Sequence, residues 1–175
     1  MNEATPATNF FDAYASWTDR VAQYPPTAEP FYLALGIADE AGEYASAEGR
    51  DHLIAEAGDV LWYAARYCRN VLGVPFSDLI ADASESRGSQ QLMTTLVGVI
   101  CGVEKKRIRD GELWSTDKLA QKNGDSYNAL CSIIHRLSEE LLDMDITLQE
   151  VLELNMKKLG ARLQAGTIRG DGEVR

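Results

Sequence analysis

The chain has 175 residues, 45 % of them apolar and 25 % charged. That length can bury a core without disulfide or metal staples, and that balance excludes an intrinsically disordered chain. Acids outnumber bases 27 to 17, for a formal net charge of -10, which excludes a general binder of nucleic acid or of anionic membrane. A small polyanion stays open as a ligand, provided that cations sit locally.

Cys68, Cys101 and Cys131 are odd in number and widely spaced, with no C-x-x-C. They read as reduced thiols that pack as small apolar groups in a cytoplasmic protein. Met1 to Phe10 carries Glu3 and no basic residue, so it lacks the charged and apolar regions of a signal peptide. The apolar runs fall far short of the ~18 residues of a membrane span.

Proline occurs at positions 6, 25, 26, 30 and 75 and nowhere from Phe76 to Arg175. Apolar residues three and four apart, with little strict alternation, predict an all-α protein. A first helix is expected from about Phe10 to Gln23, stopped by Pro25-Pro26. The second starts near Pro30 and carries the stripe Ala34, Ile37, Ala38, Ala41, Tyr44 and Ala45, with Gly49 as its stop. Asp51 then caps a third helix that buries Ile54, Ala57, Leu61, Ala64, Cys68 and Val71 and stops at Gly73. A short helix follows Pro75, with Ser77 as its cap. Arg87-Gly88-Ser89 separates the halves.

In the second half, Gln91 to Arg109 and Asp125 to Leu142 read as helices. Asp110 to Gly124 reads as a polar loop. Thr147-Leu-Gln-Glu150 is a capping-box signature before a helix from Val151 to Leu163. Gly166 to Arg175 reads as a flexible tail. Each half thus runs long helix, connection, long helix, turn, shorter helix. The expectation is one domain over 1–175, with two helical hairpins forming a four-helix-bundle-like core by degenerate internal duplication. Residues 10–87 would be the acidic half and 90–165 the second.

The chemistry lies in Leu35-Gly-Ile-Ala-Asp-Glu-Ala-Gly-Glu43 and Ala55-Glu-Ala-Gly-Asp-Val-Leu-Trp-Tyr63. Glu40 and Glu43 are three apart, as are Glu56 and Asp59, so each pair shares a helix face. Twelve residues separate the pairs, enough for an antiparallel return that lets all four carboxylates converge. Such a cluster needs protons or cations to relieve its repulsion. Hard oxygen ligands suit Mg²⁺, with Mn²⁺ able to replace it. Gly42 and Gly58, inside the pairs, would allow the two helices to approach closely. Against this stands an ordinary solvated acidic face. A di-iron bundle needs Glu-x-x-His, which is absent; His52 and His135 read as ordinary polar residues.

Glu40-x-x-Glu43 followed by Glu56-x-x-Asp59 resembles the signature of the all-α nucleoside triphosphate pyrophosphatases, in particular their MazG-like, phage-type group. Tyr32-Leu-Ala-Leu-Gly-Ile37 and Gly58-Asp-Val-Leu-Trp-Tyr63 are similar to the family's flanking segments. Val151 to Arg162 resembles its basic Asn-x-x-Lys-Leu helix. The resemblance covers 10–73 and 146–175; residues 74–145 depart from it and contain no second four-acid set.

The resemblance implies hydrolysis of a nucleoside triphosphate to the monophosphate and pyrophosphate. Glu40, Glu43, Glu56 and Asp59 would hold the metal, with Glu40 as the residue that orients or deprotonates water. Asn155, Lys158 and Arg162, on one helical face, would grip phosphates or sugar, unless they form only a solvated face near a helix end. Trp62 would meet the base. Implied further are dGTP or GTP as first substrate, a homodimer or homotetramer, and a cytoplasmic site of action, in a host cell if the chain is phage-encoded. The alternatives are a dUTP- or dCTP-type enzyme, or a non-catalytic helical interaction protein that keeps the fold.

Overall fold

The computed structural model describes residues 9–85 and 91–168, and the expected linker at 87–89 and most of the expected tail lie outside them. Among the described residues there are seven α-helices and no strand. They are α1 (Phe10–Trp17), α2 (Glu29–Ser46), α3 (Arg50–Arg66), α4 (Phe76–Glu85), α5 (Met93–Asp110), α6 (Thr116–Leu142) and α7 (Leu148–Ala165). None is long and apolar enough to cross a membrane.

Most of the expected helices form, with different ends. α1 stops at Trp17 and a 3-10 turn, Thr18–Arg20, carries the chain onward. α2 has Pro30 in its first turn and buries Leu33, Ala34, Ile37, Ala41 and Tyr44. It ends at Ser46, before Gly49, which instead precedes α3 at φ 83°. That left-handed geometry suits glycine, and Asp51 falls inside the first turn rather than capping it. Ser77 likewise lies inside α4. Its N–H and hydroxyl both donate to the Asp12 carboxylate, at 3.0 and 2.7 Å, which ties α4 to α1.

The expected loop Asp110 to Gly124 is mostly helix. Only a 3-10 turn, Gly111–Leu113, and two residues intervene before α6. The Ser115 side chain accepts from the Lys118 N–H and starts α6 nine residues before Asp125. The segment's polar side chains lie on a mostly exposed stretch, so polarity there reports solvent rather than irregular backbone. The Thr147–Glu150 capping box is present as expected, with both reciprocal bonds. A π-helical stretch, Tyr67–Leu72, extends α3 to Gly73 at φ 70°.

The helices pair in a regular pattern. α2 packs on α3, α5 on α6, and α2 on α5 across the halves. The third helix of each half crosses over: α7 packs on α3 and α4 on α6. Exchanging α2 with α5, α3 with α6 and α4 with α7 leaves these pairings unchanged. The buried registers correspond as well. Leu33, Ala34, Ile37 and Ala41 of α2 match Leu96, Val97, Ile100 and Glu104 of α5. Ala57, Gly58, Val60, Leu61 and Ala64 of α3 match Leu130, Cys131, Ile133, Ile134 and Leu137 of α6. Gly73 and Asp145, the latter at φ 53°, both take left-handed backbone before the crossing helix.

Polar groups also lie inside this core. Arg66 is 5 % exposed. Its guanidinium donates to Thr18 Oγ1 and Asp19 at 3.0 Å, to Glu29 at 2.8 Å and to the Tyr24 hydroxyl, binding the end of α3 to the start of α2. Glu104, 2 % exposed, accepts from the Tyr67 hydroxyl and from Arg107 Nε at 2.9 Å. The three cysteines are free thiols; Cys68 and Cys131 are buried and Cys101 is half-buried. Burial pushes the Cys68 thiol up to about 12 and that of Cys131 to about 11.

Arg66→Ala removes the buried cation that Glu29, Asp19 and Thr18 share and leaves Asp19 with Arg69, and Glu29 with Tyr24 and Asn70. A loss of about 3 kcal/mol is expected, read as a lower urea midpoint with an unchanged slope.

Candidate metal and phosphate site

Glu40 and Glu43 lie on successive turns near the end of α2, and Glu56 lies in the second turn of α3. The antiparallel return between them brings one carboxylate oxygen of each within 4.8 Å of the others. Three of the four residues read from the sequence as metal ligands therefore converge. Glu43 is exposed; Glu40 and Glu56 are half-buried. His52 Nε2 stands 3.2 Å from Glu56.

The fourth acid, Asp59, is engaged by α7. Asn155 Nδ2 donates to its Oδ1 at 2.8 Å, and Lys158 Nζ donates to its Oδ2. Asn155 is 3 % exposed, and its Oδ1 accepts from the fully buried Tyr14 hydroxyl at 2.9 Å. The Asp59 carboxylate can only accept, so it takes the NH₂ end of the amide and leaves Oδ1 to accept from Tyr14. Two of the four residues expected to meet a substrate, Asn155 and Lys158, thus sit against the acidic site. Arg162 lies one turn further along α7 and is half-buried.

Glu40 shows what this crowding does. Its carboxyl is pushed up to about 8, by burial first and then by the negative fields of Asp59, Glu43, Glu56 and Asp39. A carboxyl in that state takes a proton or a cation rather than bear its charge alone. Tyr14 and Tyr63 are raised too, by burial first; the Asp59 field adds to both and the Glu40 field to Tyr63.

The glycines do different work from that expected. Gly42 faces open space, and a Cβ there would meet nothing within 4 Å. Gly58 admits α7 rather than α2: a Cβ at 58 would stand 3.2 Å from both Cβ and Nδ2 of Asn155. The residue that lets α3 sit close on α2 is Gly36, over which the Tyr63 ring lies; a Cβ there would come within 2.1 Å of it. Trp62 differs also. It is 7 % exposed and packs in the core, with the edge of Tyr63 on one side and the Arg66 guanidinium 5.5 Å from its ring centre. Its faces are covered, so it does not stand ready to stack on a base.

Sequence reading passed over Tyr14 and Gly36. Tyr14 lies 141 positions from its partner Asn155, and no local motif announces such a pairing. Gly36 carried the usual signal, a glycine inside a helix, but it lies a full turn before the acids. No family model matches this chain, and neither does any curated protein or solved structure.

Two outcomes follow from this geometry. Gly42→Ala should raise stability by about 0.5–1 kcal/mol, because it only restores helix propensity, whereas Gly58→Ala should lower it and displace Asn155; paired urea melts read both. In metal-free protein, the raised Glu40 carboxyl favours the fold while protonated. That contribution is complete below about 4.5 and lost as pH rises through about 8. Glu40→Gln should therefore flatten the fall in melting temperature between pH 6 and 9 that the unsubstituted chain shows in chelator.

Proposed function

We propose that this protein hydrolyses a nucleoside triphosphate to the nucleoside monophosphate and pyrophosphate, with Mg²⁺ or Mn²⁺ held by its carboxylates. The observation that carries the reading is the meeting of Glu40, Glu43 and Glu56 beside an Asp59 already gripped by Lys158. Oxygen-only donors in a half-buried cluster fit a hard divalent cation. The raised Glu40 carboxyl supports the same fit, since burial and the fields of the neighbouring acids favour a bound proton or cation there.

Glu40, Glu43 and Glu56 would be the direct ligands. Asp59 would join them or orient the site from α7's side. When bound, the metal supplies charge neutralisation at the phosphates and acidifies a water. Glu40 would orient the water and accept its proton as the water oxygen forms a bond to the α-phosphorus. The α–β bridging P–O bond then breaks, and pyrophosphate leaves with the electron pair. Lys158 presents a cation beside the anionic oxygens, and Asn155 holds Asp59 in register through its amide.

The amide of Asn155, held between the Tyr14 hydroxyl and Asp59, makes Asn155 a positioning group for the α3 acid. The base stays unassigned among guanine, uracil and cytosine, with dGTP or GTP first by resemblance. A homodimer or homotetramer belongs to the same reading.

A panel of ribo- and deoxynucleoside triphosphates with Mg²⁺ or Mn²⁺ tests it. Monophosphate and pyrophosphate should appear in equal amounts. Glu40→Gln and Asp59→Asn should each lower kcat at least a hundredfold while helix content is kept. Release of single phosphates would point to another reaction, and no turnover across the panel would leave a non-catalytic helical protein.

A further inference from the structure

A cleft of about 340 Å³ opens between α3, the turn before α7, and α7 itself. Its walls are Ile54, Ile146, Val151 and Leu154, and Leu154 is 49 % exposed. Lys158 and Arg50 also line it, and Asp51, beside Arg50, has a fully exposed side chain. The cleft adjoins the acidic site: Lys158 lines it and holds Asp59, and Gly58 and Asn155 are shared by both. Its volume falls in the range of small-molecule sites, which are mostly apolar with a few polar groups.

The molecule carries an internal comparison. The corresponding seam between α6 and α4 holds a cleft of about 320 Å³, lined by Asp82, Glu85, Asn128, Cys131 and Ser132. By the buried registers, Asn128 and Cys131 stand where α3 has Ala55 and Gly58. Counting from the left-handed residues Gly73 and Asp145, Asp82 and Glu85 stand where α7 has Leu154 and Lys157. One seam is apolar with cations beside it; its counterpart is polar and acidic. An acidic cleft repels an anionic ligand, and an apolar cleft beside Lys158 attracts one that has an apolar end.

We infer that the α3–α7 cleft takes the nucleoside end of the triphosphate, a flat heterocycle with its sugar, against Ile54, Ile146, Val151 and Leu154. The inference rests on the proposed hydrolysis and adds where specificity for the base is set. Lys158, between the cleft and the carboxylates, faces the phosphate side of the ligand. The base is thus read by α3 and α7, and the buried Trp62 has no part in it.

The test uses the full chain, Mn²⁺ and α,β-imido triphosphates of the common bases, which resist cleavage at the α–β bridge. Calorimetry gives the dissociation constants. Leu154→Asp installs the residue that α4 carries at this position, and Leu154→Trp fills the cleft. Both act on a half-exposed side chain, and a third variant, Ala55→Leu, narrows the cleft from α3. Each should weaken the analogue at least tenfold and leave Mn²⁺ affinity, read by electron spin resonance, within twofold. Analogue binding unchanged in all three, or no analogue bound by the unsubstituted chain, overturns the inference. An analogue that binds in the cleft while its cleavable parent is not hydrolysed overturns the proposed reaction and leaves the cleft standing.

Discussion

The Asp59 carboxylate is held between two side chains of α7, and the arrangement of the acidic site depends on that grip. Asn155 and Lys158 occupy its two oxygens, and the buried Tyr14 hydroxyl donates to the amide oxygen of Asn155. Three helices that are far apart in sequence are thereby locked to one carboxyl group. The lock requires α7 to lie close on α3, which Gly58 allows. On the other side of the site Glu40, Glu43 and Glu56 gather, with the His52 imidazole beside Glu56. The crowding shows at Glu40, whose carboxyl is raised by burial and by the fields of its acidic neighbours.

A charged cluster of this kind costs stability unless something neutralises it. The surrounding core is built to carry the cost. α3 is buried along most of one side, with Ala57, Val60, Leu61, Ala64 and Ala65 at or near zero exposure. Small side chains there bring neighbouring helices close, and the Arg66 network clamps the far end of α3 to the start of α2. The rigid end and the acidic end therefore belong to the same helix. The carboxylates are held by packing rather than by one another.

How far the amino-acid sequence reveals this arrangement depends on the range of each interaction. The helices and the acid pairs obey local periodicity, so α2, α3 and the capped start of α7 can be read directly. The early start of α6 cannot, because Thr116, Asp117, Lys118 and Gln121 are polar for reasons of exposure and carry no stop that the backbone must obey. The Asp59 grip and the burial of Trp62 are tertiary facts. An Asn-x-x-Lys pattern on α7 marks a polar face, but only packing decides whether that face meets solvent or an aspartate. Gly42 and Gly58 look equivalent in sequence, and only the neighbour at one of them distinguishes their roles.

The two halves pair their helices alike and bury the same registers, yet only one carries the acids. At the positions matching Glu40, Glu43, Glu56 and Asp59 the second half has Val103, Lys106, Ala129 and Ser132. Val103 and Ala129 are buried, at 3 and 4 % exposure, so two positions that would carry repelling charge contribute apolar packing instead. The acid that the second half does bury, Glu104, stands where α2 has Ala41 and is matched by Arg107 on its own helix. A second acidic cluster would add like charge to a chain that already carries a net charge of -10. Confining the crowded carboxylates to one half limits that repulsion to one place and leaves the other half to supply the packing that holds α2 and α3 in position.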